Sequence, residues 1–416
     1  MKVLVIGSGG REHAITHAIS KSKLVDKIYI APGNDGINEA ECINISATDN
    51  EALLNFAIKN NIDLTIVGPE VSLSNGIVNL FKENNLKIFG PSKEAARIES
   101  SKEYAKELMK KYQIPTAKYE TFSNYDEAVN YVKKEGAPIV IKFDGLAAGK
   151  GVSVCNSVDE AINALKDMLL NKIFGEGKVI IEEYLSGVEF SFMCFVDNEN
   201  VYPLALSQDH KRAFDNDKGN NTGGMGAYSP LPFITEKDKE YALNNIMKKT
   251  ALALKEDNAP FTGVLYGGLM KCNDGIKVIE FNCRFGDPET EVVLPRLTSD
   301  LYQAINDLLD HKEPILTWSN QVTLGIVMAS CGYPSSYIKH YLIENLDHVN
   351  GKIYYMGVKK EDDKIYTNGG RVLIVTATGS TVKEAHDNCL NEVKKIKCDN
   401  LFYRSDIGHI GMEEEK

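Results

Sequence analysis

Twelve consecutive residues carry most of the chemistry legible in this chain: Glu280-Phe281-Asn282-Cys283-Arg284-Phe285-Gly286-Asp287-Pro288-Glu289-Thr290-Glu291. They follow Ile276-Lys277-Val278-Ile279, an apolar run that reads as a strand. Side chains alternate faces along a strand, so Glu280 and Asn282 point the same way, and Arg284 joins them if the strand runs on. A carboxylate and an amide oxygen are hard ligands that suit Mg²⁺, and a guanidinium beside them suits phosphate. Gly286 and Pro288 break the strand, which sets the group at a strand end, where open α/β sheets bind ligands. The plainer reading of the same residues is a charged edge strand with solvated ends.

A second constellation runs from Lys142 to Val152: a strand, the loop Gly145-Leu146-Ala147-Ala148-Gly149-Lys150-Gly151, and another strand. Glycines let backbone approach a phosphate closely, and Lys142 at a strand end reaches one as a point charge. The spacing is not that of the G-x-x-x-x-G-K-[ST] phosphate loop. A hairpin whose lysine stem lies along the surface fits the pattern too. Downstream, Ile180-Ile181-Glu182-Glu183-Tyr184-Leu185 runs from a strand into a connector, followed by Gly187-Val188-Glu189. Backbone groups of such a connector can pair with an adenine edge, and an acid beyond it can accept from ribose hydroxyls. Glu183 and Glu189 otherwise read as solvated acids.

Gly7-Ser8-Gly9-Gly10-Arg11-Glu12-His13 follows the first strand and opens a helix, where backbone N–H groups bind anions. It departs from the dinucleotide fingerprint: Glu12 replaces the third glycine, and the second strand ends Ile30-Ala31-Pro32-Gly33-Asn34 with no ribose-binding acid. Both departures argue against a nicotinamide cofactor and leave either a phosphate of another ligand or a structural turn. Asn34, Gly36 and Gly68-Pro69-Glu70 end neighbouring strands and are candidates for the same site. Gln208-Asp209-His210-Lys211-Arg212 and Asn220–Ala227 form a polar, glycine-rich loop pair, a kind of long irregular stretch that is functional or disordered. His210 reads as a surface histidine, and no His/Cys spacing suits a metal.

Positioning these groups takes more than one core: 416 residues suggest roughly two to four domains. Residues 1–100 alternate strand and helix, with strands at Val3–Ile6, Lys27–Ile30, Leu64–Val67 and Lys87–Phe89, and read as a doubly wound α/β domain. Residues 101–320 open with a helix after Ser100-Ser101 and contain a compact α+β unit at about 115–187, then longer strands, a helix near 236–256 and a hairpin at Asn273-Asp274-Gly275. Residues 321–416 read as a strand-rich domain with one helix near 381–397, and Gly369-Gly370-Arg371 as a turn or part of a ligand site. A net charge of -11 disfavours a nucleic-acid partner. The short apolar N-terminus is a strand and not a signal peptide, and no run approaches a membrane span. Scattered cysteines without a C-x-x-C pair suit the reducing cytoplasm.

In this order along the whole chain, these segments resemble the glycinamide ribonucleotide synthetase family of the ATP-grasp superfamily, most specifically at Arg284-Phe285-Gly286-Asp287-Pro288-Glu289. The resemblance implies an ATP-grasp fold with a mobile lid subdomain between the doubly wound domain and a small C-terminal domain. It implies an ATP-dependent ligase of purine synthesis that joins glycine to 5-phosphoribosylamine through an acyl phosphate. By resemblance, Glu280 and Asn282 hold Mg²⁺ or Mn²⁺. Lys102, Lys142, Gly149 and Gly151 meet the ATP phosphates, Glu182, Glu183, Tyr184 and Leu185 the adenine, and Glu189 the ribose. Arg284 takes the transferred phosphate or the glycine carboxylate. Gly9, Gly10, Arg11, Asn34, Gly36, Asp209, Lys211 and Asp287 fall to the substrates. One departure stands out: the strand Leu265–Met270 lacks the further metal-binding acid common in the superfamily. A bicarbonate-using carboxylase, a nicotinamide oxidoreductase and a nucleotide sensor are the rival readings. The expected form is a single-activity, cytoplasmic monomer or weak dimer.

Overall fold

The computed structural model describes residues 1–147 and 151–415, so Gly149 lies outside the described residues. The first sheet is parallel, in the order β3-β2-β1-β4-β5: β1 (Lys2–Gly7), β2 (Lys27–Pro32), β3 (Glu41–Cys42), β4 (Leu64–Val67) and β5 (Ile88–Phe89). Val3, Leu4, Val5 and Ile6 are all fully buried, as a strand covered by helices on both faces must be. Helix α1 (Gly10–Ser20) leaves β1 at the point where the strand order reverses. Helices α2 (Asn50–Asn60), α3 (Glu70–Ser74), α4 (Ile77–Glu83) and α5 (Arg97–Ser100) complete this layer. In α6 (Lys102–Lys111), Ser101 accepts from the Tyr104 N–H at 3.2 Å, the cap expected from sequence.

The lid is an antiparallel sheet in the order β6-β9-β7-β8, from β6 (Tyr119–Phe122), β7 (Ile139–Phe143), β8 (Val152–Cys155) and β9 (Val179–Glu183), with α7 (Tyr125–Glu135) and α8 (Val158–Leu165) on one face. It closes its own small core, around Val132, Ile141, Leu165 and Ile181. A central antiparallel sheet follows, β11-β10-β16-β17, from β10 (Gly187–Asp197), β11 (Asn200–Pro203), β16 (Thr262–Cys272) and β17 (Gly275–Asn282). The expected hairpin at Asn273-Asp274-Gly275 joins β16 to β17: the turn centres on Asn273-Asp274, with Gly275 at φ +128° just after it.

The C-terminal sheet is built from chain segments far apart. Strands β12 (Gln208–Asp209) and β15 (Gly226–Ser229) pair in the order β12-β15-β18-β23-β20 with β18 (Val322–Ser330), β20 (Lys352–Tyr355) and β23 (Arg371–Gly379). The hairpin β13 (Arg212–Phe214) and β14 (Lys218–Asn221) lies between them in sequence. A boundary at residue 320 therefore does not separate sheets, because alternation and turn signals report local elements and not which strand a short segment will join. A helix at His409–Glu414, not foreseen from the pattern, ends the described chain.

A polar cluster helps to tie the N-terminal and C-terminal regions. Glu39 accepts from Lys352 Nζ at 2.7 Å and contacts His17 Nδ1 at 2.9 Å and His13 Nε2 at 3.2 Å. His13 Nδ1 in turn accepts from the Tyr355 N–H at 2.9 Å, so His13 can bind a second proton only by giving up that bond. Burial would raise the Glu39 carboxyl, but His13, His17 and Lys352 together hold it low; burial holds His13 below its usual 6.5. Both signs point one way. The Glu39 contribution is present above its usual 4.5 and lost as pH falls below it. His13 gains a proton on unfolding, so stability also falls as pH drops below 6.5. Glu39→Ala should cost about 1–2 kcal/mol near neutral pH, and that cost should shrink once the pH falls below 4.5; thermal melts at pH 7.5 and 4.0 that match the wild type at both would refute the cluster's role.

Candidate active site

Where the lid, the ends of the first and central sheets and strand β23 converge, the chain leaves a cleft of about 720 Å³. On the lid side, Lys142 lies one residue before the end of β7, with its Nζ 3.0 Å from Glu182 Oε1 and donating to the Ile279 carbonyl at 2.9 Å. Lys106, from α6, meets the other oxygen of Glu182 at 3.0 Å and donates to Thr116 Oγ1 at 2.8 Å. All three charged side chains are at most 4% exposed, so one carboxylate is shared by two cations and the wall carries a net positive charge. Burial pushes Lys106 down to about 8, against the pull of Glu182. Lys102 lines the same wall and donates to the Gly145 carbonyl at 2.9 Å. Beyond β9, Tyr184, Leu185 and Ser186 form the expected connector to β10, and Tyr184 is half exposed at the rim.

Strand β17, at the edge of the central sheet, presents Glu280 and Asn282 through a bulge. Val278 pairs with Leu269 but Glu280 pairs with Gly268, so Ile279 is an extra residue in the ladder. Ile276 and Val278 are buried on one face; past the bulge Phe281 and Cys283 are buried instead. Strict alternation would have carried Glu280 and Asn282 onto the Ile276 face, into the core. The bulge turns them into the cleft, and frees the Ile279 carbonyl for Lys142. Burial alone would raise the Glu280 carboxyl, but Lys211, Lys142, Lys102 and Arg284 hold it below the usual range. Lys211 Nζ lies 3.8 Å from Glu280 and also pairs with Glu189. Among the described residues no three His, Cys, Asp or Glu side chains converge on a metal position. One ionised carboxylate with one amide fits a divalent ion that takes further oxygens from a polyphosphate. On β16 it is Gly268 that faces Glu280, where a Cβ would lie 3.3 Å from the Glu280 side chain.

Strand β17 stops at Asn282, yet Arg284 still reaches the cleft, because acids from the first layer hold it. Its Nη2 lies 3.1 Å from Glu99 and its Nε 3.3 Å from Glu70. Burial opposes the charge, but these two acids keep the guanidinium protonated. Arg11 points the same way, between Glu12 and Glu70. Across the cleft, Arg371 of β23 pairs with Asp287 at 2.7 Å and donates to the Gly223 carbonyl at 2.8 Å.

Most of the residues singled out in the sequence line this one cleft. Four do not. Gly9 gives its N–H to Glu12 Oε2 at 2.7 Å, and a Cβ on Gly10 would lie 2.5 Å from Glu291. Asn34 donates to the Ser8 carbonyl at 2.7 Å and the Tyr355 carbonyl at 3.1 Å, and Gly36 packs on the Tyr355 ring. The helix start is thus partly satisfied by the protein's own acid; Glu12 also fills the space beside Gly7 and Gly68 where a dinucleotide would approach. His210 is also not at the surface: it is 4% exposed, accepts from the Gly408 N–H at 3.1 Å, and burial lowers it to about 3. Lys106, Glu99 and Tyr266 belong to the wall but carried no local signal, being isolated residues in helices or strands. Glu70 and Arg371 stood beside Gly68 and Gly370, and such a charged residue after a glycine at a strand end is the cue that finds them.

Models of three phosphoribosylglycinamide synthetase domains match this chain: the N domain over residues 1–99, the ATP-grasp (A) domain over 100–290 and the C domain over 323–410. A phosphoribosylamine–glycine ligase of Halalkalibacterium halodurans is 54% identical, over 100% of this chain and 98% of that protein. The crystal structure of a phosphoribosylamine–glycine ligase from Thermotoga maritima superposes with a TM-score of 0.87 at 32% identity, over 98% of this chain and 100% of that one. A biotin carboxylase from Campylobacter jejuni, in complex with β-γ-ATP, shares the fold at 15% identity with a TM-score of 0.76, over 100% of this chain and 95% of that one.

The shared carboxylate gives a direct test of the lid wall. Glu182→Ala would leave two buried ammonium groups without a counter-charge and cost about 3–5 kcal/mol. Adding Lys106→Met removes one of them and should restore part of the loss. Urea unfolding of both variants measures this; a Glu182→Ala midpoint equal to that of the wild type would deny the arrangement.

Proposed function

The chain belongs to the phosphoribosylglycinamide synthetase family, and we propose that it catalyses ATP + glycine + 5-phosphoribosylamine → ADP + phosphate + glycinamide ribonucleotide, a step of purine synthesis. It is an ATP-dependent ligase. The observation that best supports the reading is the meeting of Glu280 and Asn282, turned outward by the bulge, with Lys142, Lys102 and Arg284 around one cleft.

The chemistry suits these residues. A free carboxylate is a poor acyl donor, because its leaving group would be oxide; a phosphoryl group transferred from ATP makes a better one. The protein's task is then positioning and charge neutralisation rather than covalent attack. Lys142 and Lys102 take the phosphate charge of ATP, with Gly151 at the end of the glycine loop. The connector Glu182–Leu185 receives the adenine and Glu189 the ribose. The Glu182 side chain itself is committed to two lysines, so its part toward adenine falls to the backbone. Arg284, fixed by Glu70 and Glu99, is poised for the transferred phosphate or the glycine carboxylate. Arg11, Lys211 and Asp287 face the substrates from the opposite walls. Mg²⁺ or Mn²⁺, held by Glu280 and Asn282, neutralises polyphosphate charge when bound. The lid excludes water from the acyl phosphate.

We place the protein in the cytoplasm, where its eight free cysteines stay reduced. No helix among the described residues is long and apolar enough to cross a membrane. A monomer or weak dimer is our working assembly, which sedimentation would check.

ADP release that requires both glycine and 5-phosphoribosylamine, with glycinamide ribonucleotide detected by mass spectrometry, is the expected result; release independent of glycine would overturn the reading. Glu280→Gln should keep the far-UV circular dichroism of the wild type and lower turnover by about 10²-fold or more. Near-normal turnover would remove Glu280 from the metal site.

A further inference from the structure

Two lysines meet one acid in the lid wall, and their remaining contacts differ. Lys106, 2% exposed, has all three of its ammonium donors met by the protein: Glu182 Oε2 at 3.0 Å, Thr116 Oγ1 at 2.8 Å and the Ala117 carbonyl at 3.4 Å. Thr116 is itself held, donating to the Val278 carbonyl at 2.8 Å. Among the described residues Lys142 has two partners, Glu182 Oε1 at 3.0 Å and the Ile279 carbonyl at 2.9 Å, which leaves one donor for the cleft. Glu182 Oε1 accepts no hydrogen bond within the described residues, so it holds Lys142 by charge rather than by a directed bond. Lys106 thus faces the protein and Lys142 the cleft, with one carboxylate between them.

The charge of that carboxylate is divided. While both ammonium groups are charged, Glu182 offsets only part of the charge on Lys142, and the surplus is directed at the cleft. Without the charge of Lys106, the Glu182–Lys142 pair is neutral as a whole, and an anion opposite it is attracted less. The three side chains are buried, so solvent screens this redistribution little. Lys106 is also the member placed to lose its proton first: burial lowers it to about 8, against the pull of Glu182. The other charged or titratable groups around it, among the described residues, are Glu183 of β9, Lys142 of β7 and the Tyr119 ring of β6, whose centroid lies 5.6 Å from the ammonium. Burial raises Tyr119, so its ring stays neutral while Lys106 titrates.

We propose that Lys106 is a positioning residue for the nucleotide: by drawing on Glu182, it leaves Lys142 with surplus charge for the polyphosphate. This rests on the reading of the cleft as the nucleotide site and deepens it, by giving that site a dependence on pH. Below about 8 Lys106 is charged and nucleotide affinity is at its fullest; as the pH rises through that value Lys106 becomes neutral, Glu182 turns wholly to Lys142, and affinity falls. The coupling is reciprocal, so a bound polyphosphate strengthens the hold of Lys106 on its proton, and binding near pH 8 takes a proton up.

Titration calorimetry with MgATP alone, without glycine or 5-phosphoribosylamine, reads both effects. For the wild type the Kd of MgATP should rise about 3- to 10-fold from pH 7 to pH 9. At pH 8 the heat of binding should vary with the ionisation enthalpy of the buffer, in the sense of proton uptake. Lys106→Met should bind MgATP about 3- to 10-fold more weakly than the wild type at pH 7, with no further rise to pH 9 and no proton uptake. Lys106→Arg keeps its charge at every pH, so it should bind within about twofold of the wild type at pH 7 and hold that affinity at pH 9. Thermal melts of the free proteins show which variants are folded; should one fail, the other decides. An alkaline loss that persists in either variant overturns the proposal and assigns the titration to Lys102, which burial also lowers. So does a Lys106→Met affinity at pH 7 equal to that of the wild type. So does an equal loss in both variants at pH 7, which would make the role one of packing and not of charge. A wild type that binds no MgATP at pH 7 sinks the nucleotide reading itself, a result distinct from the rest.

Discussion

The cleft depends on one ammonium group. Lys142 leaves the lid sheet, donates to the Ile279 carbonyl exposed by the bulge in β17, and shares Glu182 with Lys106. The lid, which otherwise keeps its own core, is thereby registered on β17 at the residue preceding Glu280. Placing two lysines against one acid in a dry wall is unfavourable by itself. It is tolerated because the excess positive charge faces the position proposed for a polyphosphate, and because the surrounding hydrogen bonds hold both ammonium groups in place.

Charge is laid out along the cleft by the same logic. The lid wall is cationic, the strand end carries the ionised Glu280, and the opposite walls hold arginines fixed by acids from other layers. Arg284 is aimed by Glu70 and Glu99 of the first layer, and Arg371 of the last sheet is locked on Asp287. Each domain thus supplies the charge that orients a side chain of its neighbour. An arginine held from two sides keeps its fork geometry with little entropy left to lose, which is what recognition of a planar carboxylate or a phosphate requires.

Much of this was legible in the residues, and the reasons for the rest are physical. The pairing of Glu280 with Asn282, the lysine before the glycine loop and the connector after Glu182 are local patterns, and local patterns survive folding. The doubly wound first sheet followed from apolar runs ending in glycine or proline. The bulge at Ile279 was not legible, since nothing in Val278-Ile279-Glu280 marks an extra residue; the relative facing of Glu280 and Asn282 held only because both lie beyond it. Gly9, Gly10, Asn34 and Gly36 lie outside the cleft, and in a sequence a glycine that permits a ligand and a glycine that permits a neighbouring side chain look alike. There, Glu12, Glu291 and Tyr355 occupy the space. His210 misled because its partner, the Gly408 N–H, is remote in sequence.

The sheet that joins β12 and β15 to β18 has a bearing on how the molecule is made. Ala227 pairs with Gly325, and Gly325 with Thr376, so Asp209 and the Gly224 wall acquire their backing only when strands nearly 150 residues later are present. During vectorial synthesis the lid can condense early around its own core, whereas the 208–229 segment leaves the ribosome with unpaired edges and an unfinished pocket. Such long-range pairing is slow and exposes strand edges while it waits. The lid unit can therefore complete its fold well before the 208–229 segment acquires its backing, and a chain released prematurely would carry the first without the second.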